Sequence, residues 1–494
     1  MAIDRTYLTQ NRGALVSRIL VLCLALAVCI GLLRAFFDGK ALPFLSAKLD
    51  AADRNSINLT QAAVTGEFTA APKCQQYADA GSIAFSIKTG ATVATDRLPI
   101  QLMTALRCVP DPMIFSDLDQ TLGNVKIIDV LDRFSPDLMQ NNADFDLYHK
   151  QKEYAAAGRE GDLAQLGDLP IPEDDWRTAG KSAAWGLDKY KFIHMVERAW
   201  ELQPDRNWYV FLEADTYLSV PTLQRWLATL DARKKLYLGN AVRMWEHPTE
   251  IYFAHGGSGI VLSGPAVRDL VITHEGTAQR FDGRIRNWWY GDFILADALE
   301  EVCQIKLTDA KPSIQADEPA LIPFGEHLWC KPALTLHHMD ARGFDEMYQF
   351  EKSRNFSELL FRDVYNATYK AGFPFQKHDW DNGADDPRFS LPVVPLEKEN
   401  VAGVFSPEEL QDPHKSLLAC EQACIKNEEC FQFALINGPV KKGNKWETEQ
   451  RCHLSKMFKK GQKRKMDVGK KVDSGWRGDR IERWIREHQD CSGR

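Results

Sequence analysis

Short apolar runs of strand length alternate along the chain with longer stretches of helical periodicity. Each run is bounded by polar or turn-forming residues, and we expect strands at Ser82–Ile87, Met113–Ser116, Val125–Val130, Trp208–Leu212 and Leu236–Gly239. The segments Leu98–Cys108 and Leu187–Leu202 repeat apolar residues at helical spacing. Strands that alternate with helices predict an α/β domain built on a mixed, mostly parallel sheet.

The pattern also divides the chain into regions. Residues 1–37 contain the longest apolar stretch, and residues 38–80 are Ala-rich without sustained periodicity, as in a stem. The α/β pattern fills residues 81–375. Residues 376–413 are polar with Gly and Pro, which indicates a linker, and residues 414–494 form a Cys-rich module. We expect this last module to fold independently.

The apolar stretch near the amino terminus predicts a membrane anchor. Its core, Ile19–Leu33, lies between Arg18 and Arg34, and Ala14–Phe37 is long enough to span a bilayer if both arginines snorkel. A cleaved signal peptide is the alternative. Further arginines precede the segment, which favours a cytosolic amino terminus and a single-pass type II protein of the Golgi or endoplasmic reticulum.

Composition narrows the function. The chain has 494 residues and a net charge of -7, which argues against nucleic-acid binding. Cysteines beyond the apolar stretch are typical of a secretory-pathway protein with disulfides, and they are Cys74, Cys108, Cys303, Cys330, Cys420, Cys424, Cys430, Cys452 and Cys491. Their odd number leaves at least one thiol free or paired with another chain, so a disulfide-linked homo-oligomer is one expectation. Glycosylation sequons begin at Asn58, Asn355 and Asn366.

The most informative stretch is the apolar run Trp208–Leu212 with the two carboxylates that follow it, Glu213 and Asp215. An α/β sheet binds its ligands at the carboxyl ends of its strands. Two carboxylates there suit a divalent cation that also holds a diphosphate. The alternative is a solvated strand end before the next helix.

Three other segments carry candidate chemistry. His255–Ser263 contains three glycines, which allow close backbone approach or positive φ. Asp292 follows an aromatic stretch and begins a helix, where it is either a functional acid or an N-cap. His337 and His338 end a short strand, and only one of them can face a site if that strand is regular. Histidine together with carboxylates suits manganese.

In their order along the chain, these segments resemble fungal members of glycosyltransferase family 31, which includes core 1 β1,3-galactosyltransferases and Fringe. Phe211-Leu-Glu-Ala-Asp-Thr-Tyr217 takes the place of that family's Asp-Asp-Asp-Thr-Tyr pattern, and Gly256-Gly-Ser-Gly-Ile-Val-Leu-Ser263 is similar to its glycine-rich segment. Gly291-Asp292 stands where the family has Glu-Asp. The resemblance implies a GT-A fold, a UDP-sugar donor, Mn²⁺, a glycan or glycoprotein acceptor, and inversion at the anomeric carbon.

The resemblance also implies roles for individual residues. Asp215 and His337 would bind the metal with Glu213 beside them, and Asp292 would be the catalytic base. Lys88, Thr89 and Asp117 would line the uridine side of the donor site. The galactose donor and the β1,3 linkage are only the family's default. A transferase-like scaffold that binds glycans or proteins without turnover is the alternative.

The Cys-rich tail resembles a PAN/Apple module, a binding domain for protein or carbohydrate. By that resemblance Cys420 would pair with Cys452 and Cys424 with Cys430, which would leave Cys491 as the odd thiol.

Overall fold

The computed structural model describes residues 74–492, except 141, 168–182, 246, 248–249, 289, 370–371, 394–411, 443–444 and 464–468. The predicted membrane anchor and nearly all of the predicted stem lie outside these residues. The end of the stem does not, because Cys74 pairs with Cys108 and Gln75–Ser82 forms a short 3₁₀ helix. The folded region therefore begins before residue 81. Among the described residues, no helix has both the length and the apolar character needed to cross a bilayer.

An eight-stranded mixed sheet forms the centre of the molecule, in the order β11-β7-β10-β5-β1-β2-β4-β3. Its strands are β1 (Ile83–Lys88), β2 (Met113–Ser116), β3 (Gln120–Leu122), β4 (Val125–Asp129), β5 (Trp208–Glu213), β7 (Tyr237–Gly239), β10 (Ile260–Ser263) and β11 (Leu307–Asp309). Strands β1, β2, β4 and β5 run parallel, whereas β10 is antiparallel to both of its neighbours. The predicted α/β class with a mostly parallel sheet is confirmed, and the arrangement fits a GT-A-like domain.

Smaller strand pairs lie beside the sheet. β6 (Tyr217–Leu218) pairs with β12 (Thr335–Leu336), and β8 (Ala241–Met244) pairs with β9 (Ile251–Ala254). The helices of this domain are α1 (Ala94–Met103), α2 (Pro136–Met139), α3 (Asp146–Ala156), α4 (Ala183–Asp188), α5 (Phe192–Leu202), α6 (Val220–Leu227), α7 (Gly264–Arg268), α8 (Thr277–Ile285), α9 (Gly291–Cys303), α10 (Ala341–Ser353) and α11 (Phe361–Thr368). The predicted helix 187–202 is thus two helices with a break at 189–191.

Alternate residues of the central strands enter two separate cores. Tyr209 and Phe211 of β5 pack with helices α5 and α9, whereas Val210 and Leu212 pack with α1 and α6. This burial on both faces explains why the run 208–212 is apolar without a break. The layered arrangement brings the carboxyl ends of β1 and β5 to one edge.

The C-terminal module comprises β13 (Gln376–Lys377), β14 (Trp380–Asp381), β15 (Ser390–Leu391), α12 (Leu417–Lys426), β16 (Gln432–Lys442), β17 (Lys445–Ser455), β18 (Gln462–Lys463), β19 (Lys471–Trp476) and α13 (Gly478–Glu487). Its main sheet has the order β13-β19-β16-β17-β15. The expected linker 376–413 is wrong in its first part, because three of these strands begin there and pair with later strands.

The predicted disulfides Cys420–Cys452 and Cys424–Cys430 are confirmed. The assignment of Cys491 as the odd thiol is wrong, because Cys491 pairs with Cys330 of the α/β domain. The unpaired cysteine of the described region is Cys303, which is buried. A thiol in that position is not available for a disulfide to a second chain.

The module has small hydrophobic clusters of its own and shares a further cluster with the α/β domain. Phe458, Trp476 and Ile481 of the module join a hydrophobic cluster with Trp329 and Phe361 of the α/β domain. A shared cluster and an interdomain disulfide join the module to the α/β domain, and its independent folding stays a prediction.

Candidate functional site

The acid motif lies at the carboxyl end of β5, as its sequence position predicted. Ala214 N donates to Lys88 O at 3.0 Å, and Thr216 N donates to Glu213 O at 3.0 Å. The first contact continues the pairing of β5 with β1, and the second closes a turn. The strand therefore ends at Glu213, and Asp215 lies in the turn that follows it.

Glu213, whose side chain is 26% exposed, belongs to a charge network around the buried Lys88. Lys88 is 4% exposed, and its Nζ lies 3.0 Å from Glu213 Oε1 and also donates to Asp188. Burial would lower the pKa of Lys88, but the charges of Asp188 and Glu213 raise it above its ordinary value. Lys88 is thus a fixed cation that neutralises the first acid of the motif.

Asp117 and Thr89, two of the predicted uridine-side residues, are buried. Asp117 is 1% exposed, and its carboxylate accepts from Ala91 N at 2.8 Å and pairs with Lys191 at 2.8 Å. Lys191 Nζ also donates to Thr89 O at 2.8 Å. The Thr89 hydroxyl is buried and has no hydrogen-bond partner among the described residues.

Asp215 lies beside both histidines. Its Oδ1 is 3.7 Å from His337 Nε2, its Oδ2 is 3.7 Å from His338 Nδ1, and Arg97 donates to Oδ2 at 2.8 Å. The expectation that only one histidine can face the site holds for a regular strand, and the chain is not a regular strand at this point. Strand β12 ends at Leu336, and His338 adopts a φ of 54°, which turns its ring onto that of His337 at 3.8 Å between centroids.

The charges of this cluster are arranged for ligation. Burial would raise the pKa of Asp215, but His338, Arg97 and His337 lower it to about 2. Burial lowers the pKa of His337 to about 4. At neutral pH Asp215 is therefore an anion and His337 a neutral imidazole, which are the forms that bind metals.

Unpartnered atoms in this cluster fit a cation. Asp215 Oδ1 and both ring nitrogens of His337 are buried without a hydrogen-bond partner in the described part of the chain. The ligand atoms of Asp215, His337 and His338 lie within 4.8 Å of one another. Buried polar atoms are normally hydrogen-bonded, so an unpaired group calls for an ion or water. The oxygen and nitrogen donors suit Mn²⁺.

The glycine-rich segment makes room for His337. A Cβ at Gly257 would lie 2.3 Å from the His337 ring, which no side chain could tolerate. Thr216 Oγ1 donates to Gly257 O at 2.7 Å and fixes this backbone beside the acid motif. The close backbone approach that three glycines allow is therefore used directly at the candidate metal ligand.

Asp292 faces the same cavity from helix α9. Its Oδ2 accepts from Gly256 N at 2.7 Å and its Oδ1 accepts from Phe293 N at 2.9 Å. Burial raises the pKa of Asp292 to about 7, although these two hydrogen bonds act in the opposite direction. A carboxyl group with this pKa can accept a proton near neutral pH.

Packing explains why glycine precedes Asp292. A Cβ at Gly291 would lie 2.2 Å from the carbonyl oxygen of Lys189 and 2.6 Å from the ring of Phe192. The beginning of α9 therefore contacts the break between α4 and α5 too closely for the glutamate that the resemblance places there. The departure from the family pattern is a packing requirement of this chain.

A cavity of about 680 Å³ joins the two halves of the site. Asp215 and His337 line one side and Asp292 another. The remaining wall is aromatic: Trp245 is 74% exposed and Tyr290 is 41% exposed. Arg243 lies over the Trp245 ring at 4.1 Å, and Tyr290 stacks on Phe253. The volume is in the range of small-molecule sites.

Sequence reasoning missed several residues of this cavity. Arg97 in α1 and Asp188 in α4 line it, and both lie outside the acid motif, the glycine-rich segment and the Gly291-Asp292 pair. Trp245 and His255 also line it; a lone aromatic residue gives no signal, and His255 only borders the glycines that drew attention to its segment.

A second group of potential ligands lies elsewhere, at Asp269, His274 and Cys303. Lys235 neutralises Asp269 at 2.8 Å, and burial and Asp269 raise the pKa of the Cys303 thiol to about 12. A protonated thiol beside a carboxylate that is already paired does not favour metal binding. The large cavity is therefore the candidate functional site.

Residues 182–312 match the family model described as Fringe-like. The matched region contains the acid motif, the glycine-rich segment and Asp292. No curated protein matches the chain. The match supports a glycosyltransferase related to the family 31 enzymes.

Proposed function

We propose that this protein is an inverting, metal-dependent glycosyltransferase that moves a hexose from a UDP-sugar to a hydroxyl of a glycan or glycoprotein. One observation carries the proposal. The unpartnered atoms of Asp215 and His337 line the same cavity as Asp292, whose carboxyl pKa is raised to about 7. The proposed reaction needs a set of cation ligands and a base that can accept a proton, and this cavity has candidates for both.

Asp215 and His337 would hold Mn²⁺, and His338 and Glu213 lie near them. When bound, the metal would neutralise charge on the UDP diphosphate as it leaves. Lys88 would also limit the negative charge around the diphosphate, because it is paired with Glu213.

Asp292 is the proposed general base. The acceptor oxygen forms a bond to the anomeric carbon while the bond from that carbon to the β-phosphate oxygen breaks, and the hydroxyl proton passes to Asp292. Attack from the face opposite the leaving group inverts the anomeric configuration. The hydrogen bonds from Gly256 and Phe293 fix the carboxylate for this step.

The donor nucleotide would extend towards Lys88 and Thr89. Both residues are buried and neither lines the cavity, so they would support its wall on the uridine side rather than contact the nucleotide directly. Asp117 would act indirectly, because its carboxylate orients Lys191 and the Ala91 backbone.

The exposed aromatic wall is the proposed acceptor side. The faces of Trp245 and Tyr290 offer flat apolar surface to a sugar ring, and Arg243 beside Trp245 offers hydrogen-bond donors. A carbohydrate acceptor is favoured over an apolar one, because charged side chains also line the cavity, among them Arg97, Asp188 and Lys189.

The cellular setting is proposed from the sequence. We infer a type II membrane protein of the Golgi or endoplasmic reticulum with a luminal catalytic domain, consistent with its disulfides. The PAN/Apple resemblance suggests that the C-terminal module also binds protein or carbohydrate. Galactose in β1,3 linkage is the first donor and linkage to test.

The second candidate function is glycan binding without turnover. The pairing of Glu213 with Lys88 favours it, because the first acid of the motif is already neutralised by the protein. UDP release separates the two functions. The luminal protein should release UDP from at least one member of a panel of UDP-sugars with Mn²⁺ and a glycan acceptor, and EDTA should stop it. Glycan binding with no UDP release from any donor would support the second function.

A further inference from the structure

The segment that carries His337 and His338 is attached to the C-terminal module over its first half. Residues 319–339 begin with the short helix Pro319–Leu321 and end with β12 and the two histidines. Its histidine end is tied to the catalytic domain, since β12 pairs with β6 and Met339 N donates to Asp215 O at 2.9 Å. Its middle part is bonded to both domains: on the catalytic side, Ala333 N donates to Leu359 O at 2.8 Å and Arg362 N donates to Trp329 O at 3.0 Å.

The module holds that middle part through the backbone. Phe324 and Phe458 exchange two backbone hydrogen bonds, each of 3.0 Å. Gly461 N donates to Ala320 O at 2.8 Å. Through these bonds the segment lies along the edge of the module, as a short additional strand would.

Side chains and a covalent bond complete the attachment. Trp329 is fully buried, and its indole Nε1 donates to His488 O at 2.8 Å. The adjacent residue, Cys330, forms the disulfide with Cys491. Six residues separate Cys330 from His337. The disulfide is therefore close in sequence to His337, and hydrogen bonds from residues 331–334 to the α/β domain hold the same stretch from the other side.

We propose that the C-terminal module is a positioning element of the metal site, which fixes residues 320–330 and thereby contributes to the placement of His337 beside Asp215. The inference rests on the proposed function for its metal readout, although its structural part does not. Phe458 and Cys491 are positioning residues, because neither lines the large cavity. The module thus completes the catalytic domain, whatever else it binds.

The test removes the Cys330–Cys491 bond in the otherwise complete protein. The variant carries Cys330→Ser and Cys491→Ser. Its matched control carries Cys74→Ser and Cys108→Ser, which removes the disulfide at the amino-terminal end of the domain. The measurements are Mn²⁺ affinity by electron paramagnetic resonance, Mn²⁺-dependent UDP affinity by calorimetry, and hydrogen exchange of peptides across 319–339.

We expect the Cys330/Cys491 variant to bind Mn²⁺ about tenfold more weakly, comparable to the loss of an outer partner of a metal ligand. Hydrogen exchange across 319–339 should become faster. The Cys74/Cys108 control should keep its Mn²⁺ affinity within about twofold even if its thermal stability falls equally.

Two results distinguish failure of the inference from failure of the proposed function. Unchanged exchange across 319–339 in the folded Cys330/Cys491 variant overturns the inference, and so does equal Mn²⁺ affinity in that variant and the wild type. Absence of Mn²⁺ binding in the wild type counts against the proposed function, and the exchange data then decide the positioning role alone. If the Cys330/Cys491 variant does not fold, Trp329→Phe takes its place, because it removes the donor to His488 and keeps an aromatic ring.

Discussion

Lys88 Nζ lies 3.0 Å from Glu213 Oε1, and this ion pair separates the two acids of the motif. Glu213 is neutralised by a buried lysine, whereas Asp215 lies with His337 and His338. The two acids of the motif therefore have different partners, with Arg97 and the two histidines at Asp215, and they should respond differently to substitution.

The first prediction concerns metal-dependent UDP binding. Asp215→Asn should weaken it by more than about 100-fold, since even outer partners of metal ligands contribute about 10- to 100-fold. Glu213→Gln should cost about tenfold or less, because its role passes through Lys88. Calorimetric titration of UDP with and without Mn²⁺ measures both. Equal affinity in wild type and Asp215→Asn would rule out a metal ligand at this position.

The second prediction concerns pH. If Asp292 is the base, only its ionised form accepts the acceptor proton, so kcat/KM should rise with pH and level off above about 7. The control is Asp297→Asn, a half-buried acid on the same helix that does not line the cavity. It should keep the profile. A profile that is flat between pH 5.5 and 8.5 (a range set at about 1.5 units on either side of 7) would contradict this role.

The same pKa predicts a change in stability with pH. Burial raises the pKa of Asp292 above its unfolded value, so the folded state holds the proton longer and stability falls as pH rises from about 4 to about 7. Asp292→Asn lacks this proton. Its free energy of unfolding relative to wild type should therefore increase over that range, by at most about 4 kcal/mol for a shift of about three units.

Urea denaturation of wild type and Asp292→Asn at several pH values gives the comparison. The sign of the pH dependence is the informative quantity, because the amide also loses one of the two backbone hydrogen bonds at every pH. A difference between the two proteins that does not change with pH would mean that Asp292 has an ordinary pKa.

The aromatic wall gives a prediction for the acceptor. Trp245→Ala should raise the KM for a glycan acceptor by about 10-fold or more while donor binding stays unchanged, since stacking on an exposed ring contributes about 1–3 kcal/mol. Trp446→Ala is the matched control, because Trp446 is 70% exposed on the C-terminal module and does not line the cavity. Equal KM values in both variants would place the acceptor elsewhere.

Sequence reasoning was most successful where one local pattern determines the structure. The unbroken apolar run 208–212 and the carboxylates after it predicted both a buried strand and a ligand-binding edge. The position of Asp292 at a helix start followed from its local context in the same way.

Long-range contacts could not be predicted in this way. The pairing of Glu213 with Lys88 depends on the register of β1 against β5, and the Cys330–Cys491 bond depends on how two domains pack. The ring of His338 faces the site because the residue has a positive φ, which the sequence does not predict. Local periodicity contains no information about these three relationships.

The measurement that tests the central claim most directly is turnover by Asp292→Asn with donor binding measured in the same preparation. The amide keeps the size of the side chain but cannot accept a proton, so turnover should fall by about 10²- to 10⁴-fold. Mn²⁺-dependent UDP affinity should stay within about threefold of wild type, because Asp292 does not belong to the Asp215–His337–His338 group. Turnover near that of wild type would show that Asp292 is not the base.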